Sequence, residues 1–273
     1  MIYDCFIIRD ELDILELRLK VLNNLVDKFV ICEANKTHTN MPKPYFYIDH
    51  QERFLPWKDK IIYLPLELDD TGLDFSIKET SYNPKSAAFQ FEYLQRKALF
   101  EGIKHCQDND IIFMGDLDEI PNPDSLSINQ PSVCVMKFFY YYANNQSIGP
   151  IDKDWYGTAI IPFHVLKGRF NGDMQKLRNE KHLLYHSNDG GWHLSYLGGK
   201  DAIRTKIQSF SHTEYNSETF YGDQNIEYCL ENGIDIFHRQ GMNFMLVNLE
   251  DTYPKTIRDI INNYPNYTYK RKD

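Results

Sequence analysis

The sequence predicts an α/β fold: a doubly wound, mostly parallel central sheet flanked by helices. Three observations predict it. Over roughly the first 120 residues, short apolar runs alternate with helical patterns in the order strand, helix, strand, strand, helix, strand. The fourth run ends in a cluster of acids, and ligands in such sheets sit beyond the carboxyl ends of the strands. The chain of 273 residues is 42% hydrophobic and 25% charged, ordinary for a soluble globular protein with a sizeable core.

Tyr3 to Ile8 reads as a short buried strand. Leu12, Leu15, Leu19 and Leu22 follow at steps of three and four, an apolar stripe along one face of a helix. Residues 27–35, DKFVICEAN, form the second strand, with Glu33 near its end, and residues 59–66, DKIIYLPL, the third. From Lys85 to His105 the pattern is helical: Phe91, Leu94 and Ala98 share one face, and Glu92 and Arg96 form an i,i+4 pair on another. Asp110 to Met114 is the fourth strand, which runs into Gly115 and then Asp116-Leu117-Asp118-Glu119. The order is that of a Rossmann-like half.

After Pro121-Asn122-Pro123 the texture changes. Residues 133–144 and 156–166 read as strands rich in β-branched and aromatic side chains. GGWHLSYLGG, residues 190–199, is a strand-like segment between glycine pairs. Its alternation sets Trp192, Leu194 and Tyr196 on one side and His193, Ser195 and Leu197 on the other. Ile203, Ile207 and Phe210 lie at helical spacing, and a further helix starts near Asp223 and stops at Gly233. No linker or repeat divides the chain. The expectation is one domain over residues 1–273, with a nucleotide-binding type of half (1–120) and an elaborated half (121–273).

The totals exclude some classes. A net charge of −9 argues against a general nucleic-acid binder, which needs basic surface to neutralise phosphates. The five cysteines are widely spaced, odd in number and without a CxxC pair, which suits a reducing compartment and no disulfide frame. No basic flank with an apolar segment opens the chain, and no apolar run approaches the ~18 residues of a membrane span. The expectation is therefore a soluble, cytoplasmic protein, its basic tail YKRKD being too short for an anchor. Aromatics at 14% suit sugar-stacking surfaces or a tyrosine-rich core.

The acidic end of the fourth strand carries the chemical question. Three carboxylates within four residues repel one another and are costly to desolvate, so something must offset that cost. A bound cation would do so; a solvated turn avoids the cost altogether. Asp116 and Asp118, two apart on an extended segment, face one site. Oxygen ligands suit Mg²⁺ or Mn²⁺, which also bind substrate phosphates and stabilise a departing diphosphate. The candidate metal ligands are Asp116, Asp118, Glu119 and His193. Asp116 and Arg96, the latter oriented by Glu92, are candidate phosphate-side contacts. Glu33 can reach a nucleoside, Trp192 can stack on a sugar, and His212 can meet a metal or phosphate. Glu214 and Asp223 are candidate general bases for a sugar hydroxyl. The structural alternatives are a packed strand with a hydrogen-bonded His193, a helix-end His212, an N-cap Asp223 and a surface Glu92–Arg96 pair worth a few tenths of a kcal/mol.

Taken together, DCFIIRDELDILELRL, VDKFVICEANKTHTNMPKP, YLQRKAL, DIIFMGDLDEIP, GGWHLSYLGG and KIQSFSHTEYN resemble glycosyltransferase family 17 through most of the chain. The resemblance implies a GT-A type fold and inverting transfer of a sugar from a nucleotide donor to a glycan hydroxyl, with UDP-GlcNAc the family's donor. It also implies Mn²⁺ (or Mg²⁺), places Asp116 and Asp118 at the metal–diphosphate position and sets Glu119 in support. Lacking an anchor, the chain is similar to soluble bacterial or viral members, and the acceptor stays open. Two other readings stand beside this one. One is a Mg²⁺-dependent phosphohydrolase or nucleotidyltransferase, disfavoured for the aspartyl-phosphate type by Glu119-Ile120 after the second aspartate. The other is a carbohydrate-binding protein without enzymatic activity.

Overall fold

The computed structural model describes residues 1–150 and 154–269, so the tail YKRKD lies, from residue 270 on, outside the described residues. The first half comprises β1 (Ile2–Ile8), α1 (Leu12–Leu22), β2 (Lys28–Ala34), a short α2 (Phe46–Asp49), β3 (Ile61–Leu66), α3 (Ala87–Ala98) and β4 (Ile111–Met114). β1 pairs in parallel with β2 and with β4, and β2 with β3. The order β3-β2-β1-β4 reverses direction at β1, leaving a crevice beyond the carboxyl ends of β1 and β4. This is the topological switch point at which open α/β sheets bind ligands. α3 begins at Ala87 because Ser86 caps it, its hydroxyl accepting from the Phe89 N–H at 3.4 Å.

The second half departs from the predicted parallel sheet. It contains β5 (Glu119–Pro121), β6 (Ser132–Tyr140), β7 (Asn145–Ser147), β8 (Asp154–Pro162), α4 (Phe163–Phe170), α5 (Met174–Glu180) and β9 (Tyr185–Ser195). α6 (Lys200–Ser209), α7 (Glu218–Tyr221), α8 (Asp223–Asn232), β10 (Phe244–Leu246), α9 (Leu249–Thr252) and α10 (Lys255–Ile261) complete it. β8 runs antiparallel to both β4 and β6, β7 antiparallel to β6 and β10, and β5 antiparallel to β9; among the described residues of this half, β6 with β9 is the parallel pair. The sheet is therefore mixed. The reason is local: among the described residues β6, β7 and β8 follow one another without an intervening helix, and short connections return a strand antiparallel.

Helices cover both faces. α1, α10 and the segment around Tyr47 and Phe54 pack on one, with Leu15, Leu19 and Leu22 buried as the stripe predicts. Leu99, Phe163, Leu166, Phe170 and Leu177 fill the other. Much of the tyrosine excess goes into core: Tyr140, Tyr141 and Tyr196 pack with Ile203 and Ile207 of α6 and Ile226 of α8. The five cysteines are free, four of them buried. Among the described residues no helix is long and apolar enough to cross a membrane.

Candidate active site

The acidic turn is shaped before any ligand enters. Gly115 passes so close over β8 that a Cβ there would lie 2.3 Å from the Thr158 hydroxyl oxygen and 2.9 Å from Glu119 Oε2. From beneath, the fully buried Arg18 of α1 anchors the turn. Its Nε and Nη2 donate to the Asp4 carboxylate at 2.8 and 2.7 Å. Its Nη1 donates to the carbonyls of Asp116, Leu117 and Glu119 at 3.0, 3.2 and 2.6 Å. A buried, fully hydrogen-bonded ion pair thus fixes the backbone on which the carboxylates stand.

The three carboxylates then diverge. Glu119 is fully buried and points inward. Its Oε1 accepts from Trp155 Nε1 at 2.7 Å and Lys181 Nζ at 3.0 Å, and its Oε2 from the Asp116 N–H at 3.0 Å. Asp116 stands between two arginines, Oδ1 accepting from Arg96 Nη2 at 2.6 Å and Oδ2 from Arg178 Nη2 at 2.9 Å. Burial alone would raise its pKa, but Arg178 and then Arg96 outweigh burial and hold the carboxyl well below the ordinary range. Asp118 Oδ2 accepts from Lys206 Nζ at 2.7 Å, and its Oδ1 faces His193 Nε2 at 3.5 Å. Here too burial is outweighed, by Lys206 and then His193, and the pKa is lowered. The cost of crowding the acids is offset by the protein's own cations.

Around Asp116 and Asp118 lies a cleft of about 480 Å³, in the size range of small-molecule sites. Ile7 to Arg9 at the end of β1 and Asp116 to Asp118 beyond β4 form its floor, and β9, α6 and the segment Phe210 to Tyr215 wall it. Seven Lys and Arg side chains line it (Arg9, Lys36, Lys43, Arg96, Arg178, Lys206, Arg239) against five acids (Glu11, Glu92, Asp116, Asp118, Glu214). A cationic cleft in a chain of net charge −9 concentrates anions. Among the polar atoms of its lining, His38 Nδ1, Arg178 Nε, His193 Nδ1 and Glu214 Oε2 are buried without a partner. Such atoms are costly to leave unpaired and suit bonds to a ligand. Glu92 is pulled down to about 2, burial being outweighed by Arg96 and then Arg178.

A divalent cation fits part of this arrangement. Among the described residues no three His, Cys, Asp or Glu side chains converge as a ready cage. Asp116 does not suit a ligand role, since a dication there would sit against two guanidinium groups. Glu119 is shut away from the cleft by Trp155 and Lys181. Asp118 Oδ1 and His193 Nε2 do suit it: one oxygen and one nitrogen 3.5 Å apart, near the ~3 Å between adjacent ligands of an octahedral ion.

The other predicted residues scatter. Arg96 is buried in the cleft wall and held by Glu92, so the pair is no surface ornament. His212 and Glu214 line the cleft together, His212 Nδ1 lying 2.9 Å from Glu214 Oε1. Glu33 does not reach the cleft, because Lys43, Tyr63 and the N–H groups of Phe46 and Tyr47 saturate it. Trp192 faces the opposite side of β9, packed 5.2 Å from the Tyr253 ring with Nε1 donating to the Thr252 carbonyl at 3.3 Å. With His193 turned into the cleft, strand alternation sends its neighbour away. Beside His193 the aromatic contacts come instead from Phe138 and Trp155, 4.7 and 4.4 Å from its ring. Asp223 lies outside the cleft lining, its side chain 61% exposed and paired with Lys200 and Arg204. It opens α8 as the first helical residue, Gly222 being the N-cap.

Sequence reasoning missed Arg178, Lys206, Arg9 and His38. Lys206 had a signal: with Ile203 and Ile207 in the core, it sits on another face of the same helix. Arg178 had none, because α5 itself went unpredicted.

Glycosyltransferase family 17 matches residues 1–260 of the chain. No curated protein is significantly similar. Among solved structures, the glycosyltransferase GlyE of Streptococcus pneumoniae TIGR4 aligns at 12% identity over 66% of this chain and 38% of that one. The TM-score of that alignment is 0.31.

Proposed function

The chain belongs to glycosyltransferase family 17, and from that premise we propose an inverting, metal-assisted transfer of GlcNAc from UDP-GlcNAc to a glycan hydroxyl, on a GT-A type fold. One observation carries the reading to this chain's own residues: a net-cationic cleft at the switch point of the sheet, with Asp116 and Asp118 on its floor. The donor's diphosphate is met there by Arg96, Arg178 and Lys206, whose carboxylate partners hold them in place. Preorganised cations of this kind stabilise the negative charge that grows on a leaving group. When bound at Asp118 and His193, Mn²⁺ or Mg²⁺ adds Lewis-acid charge to the same diphosphate.

Activation of the acceptor falls to the pair His212 and Glu214. Among the described residues Glu214 is the cleft carboxylate without a Lys or Arg ion-pair partner, so no such cation competes with His212 for it. Asp223 is excluded from the role by its place outside the cleft and its two cations.

Thermal melting with UDP, UDP-GlcNAc and UDP-glucose, each with Mn²⁺ or EDTA, tests the donor site. A ligand that binds the native state alone raises the midpoint by mass action. The expected result is a rise with UDP-GlcNAc and Mn²⁺ that shrinks in EDTA. No shift with any nucleotide contradicts the proposal, and a shift with free glycans alone would instead favour a carbohydrate-binding protein.

A further inference from the structure

Resting on the transfer reading above, we propose that His212, not Glu214, takes the acceptor's proton, and that Glu214 is the residue that positions it. His212 Nδ1 lies 2.9 Å from Glu214 Oε1. An ionised carboxylate can only accept, so Nδ1 carries the hydrogen of the neutral ring and the lone pair is left on Nε2. Exposure decides which of the two groups an acceptor meets. The Glu214 side chain is 10% exposed with Oε2 buried, whereas the His212 side chain is 43% exposed in the cleft wall.

The ring is also held. Tyr82 stacks on it at 5.6 Å and 30°, and Phe89 of α3 meets it edge-on at 5.1 Å and 83°. Phe210 and Tyr215 flank it at 5.7 and 6.3 Å. The titratable groups facing it are Glu214 and Tyr215 from its own segment and Tyr82 from the loop before α3. Glu92, further along α3, is turned toward Ser211 and Arg96. A carboxylate that fixes tautomer and orientation, behind an imidazole that moves the proton, is the division of labour of catalytic triads.

The step balances. The acceptor O–H bond breaks, its proton goes to Nε2, and the oxygen's electron pair forms the bond to the anomeric carbon. The bond from that carbon to the diphosphate oxygen breaks, its electrons leaving with UDP. The imidazolium then returns its proton to solvent.

The test is UDP release from UDP-GlcNAc with Mn²⁺, water serving as acceptor, in the wild type, His212→Ala and Glu214→Ala. Nitrogen-15 NMR of the histidines reads the tautomer alongside. His212→Ala is expected to lose roughly 100-fold or more, to keep the UDP-dependent thermal shift, and to regain activity with added imidazole. The wild type should show His212 protonated on Nδ1, and Glu214→Ala should lose that preference without rescue by formate. Formate rescue of Glu214→Ala, activity of His212→Ala near the wild type, or a wild-type His212 protonated on Nε2 would each overturn the assignment. A wild type that neither binds nor releases UDP removes the donor reading itself. Normal UDP binding with any of the contrary results removes this proposal alone.

Discussion

Two parallel strands of one sheet end in acid, and the two ends do different things. At the end of β2, Glu33 is fully buried and takes hydrogen bonds from Lys43, Tyr63 and two backbone N–H groups. The chain that follows folds back over it, and the carboxylate becomes part of the scaffold. At the end of β4, Asp116 and Asp118 hold cations as well, yet their side chains remain 25% and 13% exposed on the cleft floor. A carboxylate beyond the end of a parallel strand is thus not functional by position alone. Coverage by the next segment decides, and Glu119 repeats the lesson three residues past Asp116.

The contrast can be broken from the scaffold side first. Glu33→Gln leaves Lys43, its side chain 7% exposed, without its charge partner. Breaking a buried pair costs about 3 kcal/mol or more, which urea unfolding should show. UDP affinity of the folded protein should stay within about threefold; a larger loss would join Glu33 to the site and erase the distinction.

The cleft side should behave in the opposite sense. Arg178→Gln leaves Asp116 still paired with Arg96, so stability should move little. A hydrogen bond between charged groups is worth about 1.5–3 kcal/mol, so calorimetric UDP affinity should fall roughly tenfold or more. Unchanged affinity would place the diphosphate elsewhere.

A smaller effect comes from His38, which sharpens the picture of a wall kept neutral between cations. Burial, opposed by Glu92 and helped by Arg96, lowers its pKa from 6.5 to about 4. Between those values the unfolded chain binds a proton that the folded one does not. Its contribution to stability is therefore complete above pH 6.5 and is lost as the pH falls toward 4. Melting midpoints across that window should decline in the wild type and decline less in His38→Gln; parallel curves would contradict the assignment.

What the sequence made legible follows the range of the forces involved. The parallel half, the α1 stripe and the acidic strand end are local patterns, and they stand where periodicity places them. The mixed half was not legible, because alternation within a strand does not show which strands pair: β6 meets β8 antiparallel and the distant β9 in parallel. The inward turn of Glu119 was hidden for a similar reason: Lys181, its partner, is 62 residues away, and Lys206 lies 88 residues from Asp118. Those ion pairs answer the question raised by the crowded acids, and residue spacing does not show them. Trp192 is different. Its opposition to His193 was written in the strand's own alternation.

The most direct test of the account is UDP release from UDP-GlcNAc by Asp118→Asn beside Asp223→Asn. Asp118→Asn should lose roughly 1,000-fold, about 4 kcal/mol of transition-state stabilisation, with the fold intact by melting, and Asp223→Asn should keep wild-type turnover. Full turnover in Asp118→Asn would contradict it.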